Sequence, residues 1–340
     1  MQFNVGLTQD LSDGRGGFSW GNIAIETLEK LPWRFIGNTN PMLVPADCVG
    51  FDAIAFGGVG VDDNSFLNPE DSPIIIARFG VGYDNIDLKA CTRAGVALTI
   101  TPDGSKKPVA TAALTLMLGT MFRLVAKDEL ARKHQWSNRM QGLGTGVNGK
   151  IIGTIGLGNV ASEFFRLIAP FDTTRLAFDP WKSDNEAEAL GVELVDLEFL
   201  LTQCDVVLVT AALTKETHHL LSSHEFSLMK KSAILINISR GAIVDESALI
   251  EALNDKQILG AGLDVFEVEP ITQNNPLMNM SNVVVTPHNL AWTDELAFGM
   301  GISAFGSIKS ISIGEVPEFV VNKDVLETPQ FKSKLARFTS

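Results

Sequence analysis

The stretch KIIGTIGLGNVASEFFRLIAPF (residues 150–171) changes its periodicity halfway along. Its first half is continuously apolar, as a strand covered on both faces should be. Its second half places Val160, Phe164, Leu167 and Ile168 at helical spacing, which predicts an amphipathic helix. Between the halves lie Gly156, Gly158 and Ala161, the pattern G-x-G-x-x-A. The first glycine allows a tight turn, the second lets a backbone approach a phosphate, and Ala161 lets helix and strand pack closely. The helix start at Asn159 and Val160 offers free N–H groups and the positive end of a dipole. Asp179 stands at the end of the following apolar run, 21 residues after Gly158. Its carboxylate suits the hydroxyls of an adenosine ribose and repels a 2′-phosphate, so the stretch predicts a site for NAD rather than NADP.

The same alternation extends in both directions. IIIAR (74–78), TRLAFDP (174–180), DVVLVTA (205–211), AILINIS (233–239), ILGAGLDVF (258–266) and NVVVTP (282–287) read as strands. Helix signals separate them, including a capping box at Ser222 and Glu225 and an N-cap at Asp245. Strand alternating with helix implies βαβ units, a parallel sheet and right-handed crossovers. The expected fold is α/β, with a doubly wound Rossmann domain over 107–292. A second α/β domain of flavodoxin-like type is expected over 1–106, where FNVGLT, WRFIG, DAIAF, IIIARF and VALTIT read as strands. Residues 293–340 are too few to fold alone and are expected to return to the first domain. The two crossovers, near 107–130 and 290–305, would bound a cleft.

Composition narrows the function classes. The chain has 340 residues, 45% hydrophobic and 20% charged, and a net charge of −13, which argues against nucleic acid as a partner. No run of about 18 apolar residues appears, so no membrane span is expected. The N-terminus has neither a basic start nor an apolar segment of the secretory kind, and a cytoplasmic location is expected. Cys48, Cys91 and Cys204 are odd in number and dispersed, which fits buried free thiols and no metal or disulfide framework. His218, His219 and His224 lack supporting ligands, so no metal is expected there and a solvated loop is the reading. Lys106 and Lys107 read as a solvated loop. Trp136 and Trp292 read equally as pocket wall, subunit contact or core.

Three residues beyond strand ends carry a chemistry. Arg240, Glu269 and His288 follow the runs 233–239, 258–266 and 282–287. Ligands bind beyond the carboxyl ends of strands in such sheets, so all three can converge. An arginine fork grips a carboxylate and polarises the neighbouring carbonyl. A histidine delivers a proton while hydride arrives from a nicotinamide. A carboxylate beside that histidine orients the ring and favours its charged form.

FGVGYDNID (79–87), GTIGLGNVA (153–161), INISRGAIVDESALIEAL (236–253), GAGLDVFEVEP (260–270) and VTPHNLAW (285–292) resemble the signatures of the D-isomer-specific 2-hydroxyacid dehydrogenases. The resemblance spans about residues 74 to 322, in the family's order; the first 70 residues match in pattern only. It implies that Arg240 binds substrate, that Glu269 partners the histidine and that His288 is the acid/base. It implies that Asp264 faces the nicotinamide carboxamide, that Val109, Thr217 and Ser239 lie near the cofactor, and that backbone N–H groups at Val81 and Gly82 hold the substrate carboxylate. It also implies a homodimer. Two departures stand out: Val109-Ala110-Thr111 replaces a usual Val-Ala-Glu, and Ala212-Leu213-Thr214-Lys215 replaces a usual Pro-Leu-Thr-Pro. A small 2-oxo or 2-hydroxy acid is the expected partner, with glyoxylate, hydroxypyruvate or glycerate first. Similar formate dehydrogenases carry glutamine where Glu269 stands, and phosphite dehydrogenases carry lysine where Val81 stands. A 3-phosphoglycerate dehydrogenase and a nucleotide-sensing protein of the corepressor type remain open alternatives.

Overall fold

The continuously apolar runs become parallel strands in two separate sheets. The computed structural model describes residues 2–28, 30–37 and 39–339. The chain divides into two units, one formed by Met1–Ser105 with Trp292–Ser340 and the other by Lys106–Ala291.

The first unit holds β1 (Val5–Leu7), β2 (Trp33–Phe35), β3 (Ala53–Phe56), β4 (Ile75–Arg78) and β5 (Ala97–Thr99), in the order β2-β1-β3-β4-β5. This is the flavodoxin-like order. The late segment completes it through side chains. Buried Asn322 accepts from the Leu98 N–H at 2.9 Å and donates to the Val96 carbonyl at 3.0 Å. The Lys334 ammonium is buried and donates to Ser72 Oγ at 2.7 Å and to the carbonyls of Ala94 and Pro73 at 2.8 and 3.2 Å. Burial draws its pKa down to about 8.

The second unit holds β6 (Lys150–Ile155), β7 (Thr173–Phe178), β8 (Glu193–Leu194), β9 (Val206–Val209), β10 (Ile234–Asn237), β11 (Gly260–Leu263) and β12 (Val283–Val285). Their order is β12-β11-β10-β9-β6-β7-β8, the doubly wound arrangement, and strand order reverses between β6 and β9. Both faces are packed. Val206 and Leu208 join Phe164, Phe165, Ile168, Leu116 and Met117 on one side, while Val207 and Val209 join Leu200, Phe226, Leu249 and Leu253 on the other. Burying each large apolar side chain contributes about 1.5–3 kcal/mol, so the absence of polar alternation in these strands follows from their setting. The two-residue edge strand β8 is too short to leave a periodic signal in the sequence.

Two local readings change. The helix Asn159–Ile168 buries Ala161, Phe164, Phe165 and Ile168, with Val160 and Leu167 only half-buried. The apolar stripe is turned by about one residue because the helix closes on the sheet at the small Ala161. Lys106 and Lys107, expected in a loop, lie in the helix Pro102–Met121. Pro102 sits at the helix start, where no N–H is needed, and burial of Ala110, Ala113, Leu116 and Met117 outweighs the interior Pro108. Among the described residues, no single helix is long and apolar enough to cross a membrane. Cys48, Cys91 and Cys204 are free and buried, and burial pushes each thiol up to about 12.

Candidate active site

The turn after β6 shows what its glycines are for. Gly156 has φ +94°, and a Cβ there would stand 2.9 Å from the Ala211 backbone. Thr210 locks this turn from β9 by donating to the carbonyls of Gly156 and Ile155 at 2.9 and 3.1 Å. A Cβ on Gly158 would meet no atom within 4 Å. Gly158 also caps the helix Asn159–Ile168 with no side-chain hydrogen bond, leaving the first N–H groups to a ligand. Asp179 is held beside this loop: its carboxylate accepts from the Leu157 N–H at 2.8 Å and from the Trp181 N–H at 2.9 Å. Open backbone at Gly158, an uncapped helix start and an anchored carboxylate together fit a dinucleotide.

The other expected contact residues are distributed around this loop. Ser239 Oγ donates to the Ala211 carbonyl. Thr217 Oγ donates to the Ala212 carbonyl at 2.7 Å and accepts from the Thr214 N–H at 2.7 Å, closing the 212–217 segment on itself. Val109 is half-buried on the helix Pro102–Met121. Lys106 and Lys107 act through their charges on Glu163, whose carboxyl is lowered chiefly by its bond to Arg166. Asp264 is buried, and its Oδ1 accepts from Thr286 Oγ at 2.6 Å and from the N–H groups of Asn289 and Leu290 at 3.1 and 3.2 Å. Burial raises its pKa against those bonds. Asp264 thus ties β11 to the turn that carries His288.

Arg240, Glu269 and His288 lie beyond the ends of β10, β11 and β12. Arg240 follows a turn held by Asn237, which is fully buried, donates to the Arg240 carbonyl at 3.0 Å and accepts from the Ser239 N–H at 3.1 Å. Glu269 Oε1 accepts from the Phe266 N–H at 2.9 Å, and its Oε2 lies 2.7 Å from His288 Nδ1. Burial raises the Glu269 carboxyl, but the His288 and Phe266 bonds and the charges of His288 and Arg240 outweigh it, and its pKa is lowered. His288 has left-handed backbone, φ +53°, and its side chain is 46% exposed. With Nδ1 engaged, Nε2 at the ring tip is the nitrogen presented outward. The set offers a cation for a carboxylate and a proton carrier oriented by an anion.

In the other unit, the loop after β4 turns at Gly80, φ +140°, and is anchored by Thr101, which accepts the Gly80 N–H at 3.0 Å. The N–H groups of Val81 and Gly82 take no partner among the described residues. Trp292 is 63% exposed and its ring lies 5.1 Å from that of Trp20; Trp136 is 65% exposed, so neither is core.

Sequence reasoning missed Thr210, Asn237 and Thr286, whose only signal is a polar residue inside an apolar run. It also missed the partner of His219, which stands in a turn with its side chain 35% exposed and pairs with Glu267, Nε2 to Oε1 at 2.7 Å. Among the described residues no His, Cys, Asp or Glu group could hold a metal ion.

Residues 114–289 match the family model described as D-isomer specific 2-hydroxyacid dehydrogenase, NAD binding domain. The chain is 39% identical over 270 residues to the glyoxylate reductase of Thermococcus litoralis, covering 78% of this chain and 81% of that protein. It is 37% identical over 258 residues to the D-3-phosphoglycerate dehydrogenase of Archaeoglobus fulgidus, covering 76% of this chain and 49% of that one. The crystal structure of a glyoxylate reductase from Paecilomyes thermophila superposes with a TM-score of 0.79 at 26% identity, covering 95% and 99% of the two chains.

Proposed function

The chain belongs to the D-isomer specific 2-hydroxyacid dehydrogenase family, and from that premise we propose that it reduces a small 2-oxo acid of the glyoxylate and hydroxypyruvate class through Arg240, Glu269 and His288. It is an NAD-dependent D-2-hydroxyacid dehydrogenase. The observation that carries the assignment of residues is the 2.7 Å contact between Glu269 and His288 Nδ1, beyond the strand ends of a sheet that also holds the dinucleotide loop. Arg240 grips the substrate carboxylate with its planar fork and draws electron density from the adjacent carbonyl. His288 gives a proton from Nε2 to the carbonyl oxygen in reduction and takes it back in oxidation. Glu269 fixes the ring and balances its charge. The nicotinamide, when bound, supplies or accepts the hydride. The N–H groups at Val81 and Gly82, without a partner among the described residues, suit a carboxylate, and Asp179 supports selection of NAD over NADP.

The 37% identity to a D-3-phosphoglycerate dehydrogenase supports a second reading, with a phosphate on the substrate. Steady-state reduction of glyoxylate, hydroxypyruvate, pyruvate and 3-phosphohydroxypyruvate, each with NADH and NADPH, decides between them. The highest kcat/KM is expected with NADH and an unphosphorylated acid, and Asp179→Ala should relax the cofactor preference. Equal use of NADPH by the unmodified enzyme would remove Asp179 from its role.

A homodimer is part of the proposal. Phe122, Leu124, Val125, Trp136, Met140 and Leu143 are all exposed within one short segment, and crowded exposed apolar side chains mark interaction surfaces. Sedimentation at several concentrations tests it, with Leu124→Asp expected to yield monomer. Three free buried cysteines support a reducing, cytoplasmic location.

A further inference from the structure

The turn of Arg240 and the turn of Glu269 touch. Gly241, the next residue after Arg240, lies so close to the Phe266–Glu267 peptide that a Cβ on it would stand 1.8 Å from the Phe266 carbonyl carbon. Phe266 in turn donates its N–H to Glu269. A bare backbone contact of this kind excludes overlap but does not by itself prevent the turns from parting.

A second histidine closes the gap. The His219 N–H donates to the Ala242 carbonyl at 2.9 Å, attaching it to the Arg240 turn. Its Nε2 lies 2.7 Å from Glu267 Oε1, attaching it to the Glu269 turn. Glu267 is fixed on its other side, where Oε2 accepts from the Glu246 N–H at 3.2 Å and its own N–H donates to Glu246 Oε2 at 3.1 Å. Glu246 is secured by Asn275 Nδ2 at 2.6 Å. The His218 ring covers that of His219, with centroids 4.0 Å apart. His219 adopts left-handed backbone, φ +51°, a conformation that disfavours most side chains and persists where its surroundings enforce it. Its ring-tip nitrogen is occupied by Glu267, so it is placed to hold rather than to deliver a proton.

We propose that His219 and Glu267 form a positioning pair that clamps the Arg240 turn onto the Glu269 turn and so sets the spacing between the carboxylate-gripping arginine and the proton-donating dyad. The inference rests on the roles given above to Arg240 and His288. It predicts energetic coupling between His219 and Arg240, although neither side chain needs to touch the other.

The test is a double-mutant cycle in the full-length enzyme. His219→Asn tolerates left-handed backbone but is too short to reach Glu267; His219→Gln keeps a donor. His219→Asn should raise KM for the 2-oxo acid about tenfold, with NADH affinity and Tm nearly unchanged, and His219→Gln should recover most of the loss. In an Arg240→Lys background, adding His219→Asn should lower kcat/KM by less than about twofold. Should His219→Asn fail to fold, Glu267→Gln, which loses one of two acceptor oxygens, takes its place in the same cycle with the same expected coupling. Multiplicative effects in the cycle, or unchanged kinetics in both pair variants, would overturn the inference. Unimpaired Arg240→Lys would overturn the underlying role of Arg240, a different and separately readable outcome.

Discussion

Glu269 and Glu267 stand two residues apart on one turn, and each holds a histidine at 2.7 Å. The two histidines share left-handed backbone, at φ +53° for His288 and +51° for His219. By distance, residue type and backbone the pairs are twins. They differ in the ring nitrogen engaged. Glu269 takes Nδ1, the nitrogen nearest the main chain, and leaves the tip of His288 for a ligand. Glu267 takes Nε2, the tip itself, and leaves His219 only Nδ1, the nitrogen nearest the main chain. A short histidine–carboxylate contact is therefore no signature of proton transfer by itself; what separates the two pairs is whether the ring tip is engaged.

The strongest way to break this comparison is His288→Ala. Loss of the proposed proton donor should slow the hydride step by about 10²–10⁴-fold, read in single turnover with NADH, whereas the His219 variants should leave that step far less affected. Equal losses at both histidines would erase the distinction. Gly241→Ala strikes both pairs at once, because the added methyl must force the two turns apart. It should cost about 1–3 kcal/mol of stability and impair kcat/KM more than His219→Asn does, measured by urea unfolding and steady-state kinetics.

Glu269→Gln sharpens the comparison through pH. The Glu269 carboxyl lies below its ordinary 4.5, burial raising it and the His288 and Phe266 bonds and nearby cations lowering it further. A depressed carboxyl contributes stability above its unfolded pKa and loses it as pH falls through the folded value. The Tm gap between wild type and Glu269→Gln should therefore be widest near neutrality and close below 4.5. A gap that stays constant down to about pH 3.5 would show that the charge contributes nothing. The smallest effect belongs to His218→Ala. Removing a ring that only covers His219 should change stability by no more than about 0.5 kcal/mol and leave kcat intact; a large change would make His218 a member of the clamp.

What the sequence disclosed depended on whether a feature was local. The strands were legible because a parallel sheet covered on both faces demands unbroken apolar runs, and the loop at Gly156 was legible because strand, glycines and helix are contiguous. Arg240, Glu269 and His288 were legible as strand-end residues on such a sheet. Asn237 and Asp264 were harder: each is one polar residue in an apolar run, and its partners lie on other turns. His219 was illegible for the same reason. Its neighbours His218 and His224 raise a question about metals, while its partner Glu267 is 48 residues away. The helix through Lys106 and Lys107 was hidden by Pro102 and Pro108, whose local preference is overridden by the core behind Ala110 and Leu116.

The return of the C-terminal segment to the first unit has a consequence for biosynthesis. The seven-stranded unit is one continuous piece, Lys106–Ala291, and can close its core as soon as its last strand leaves the ribosome. The five-stranded unit starts earlier yet must wait, because Asn322, Lys334 and the Thr99–Val320 bridge are supplied by residues made after Ala291. The expected order of folding is therefore the reverse of the order of appearance, with residues 1–105 unfinished until the returning segment has been made. Nascent chains long enough to release Ala291 but not Val320 should resist protease over the middle of the sequence and be cut before Ser105. Early protection of that N-terminal stretch would show that its sheet closes without the returning segment.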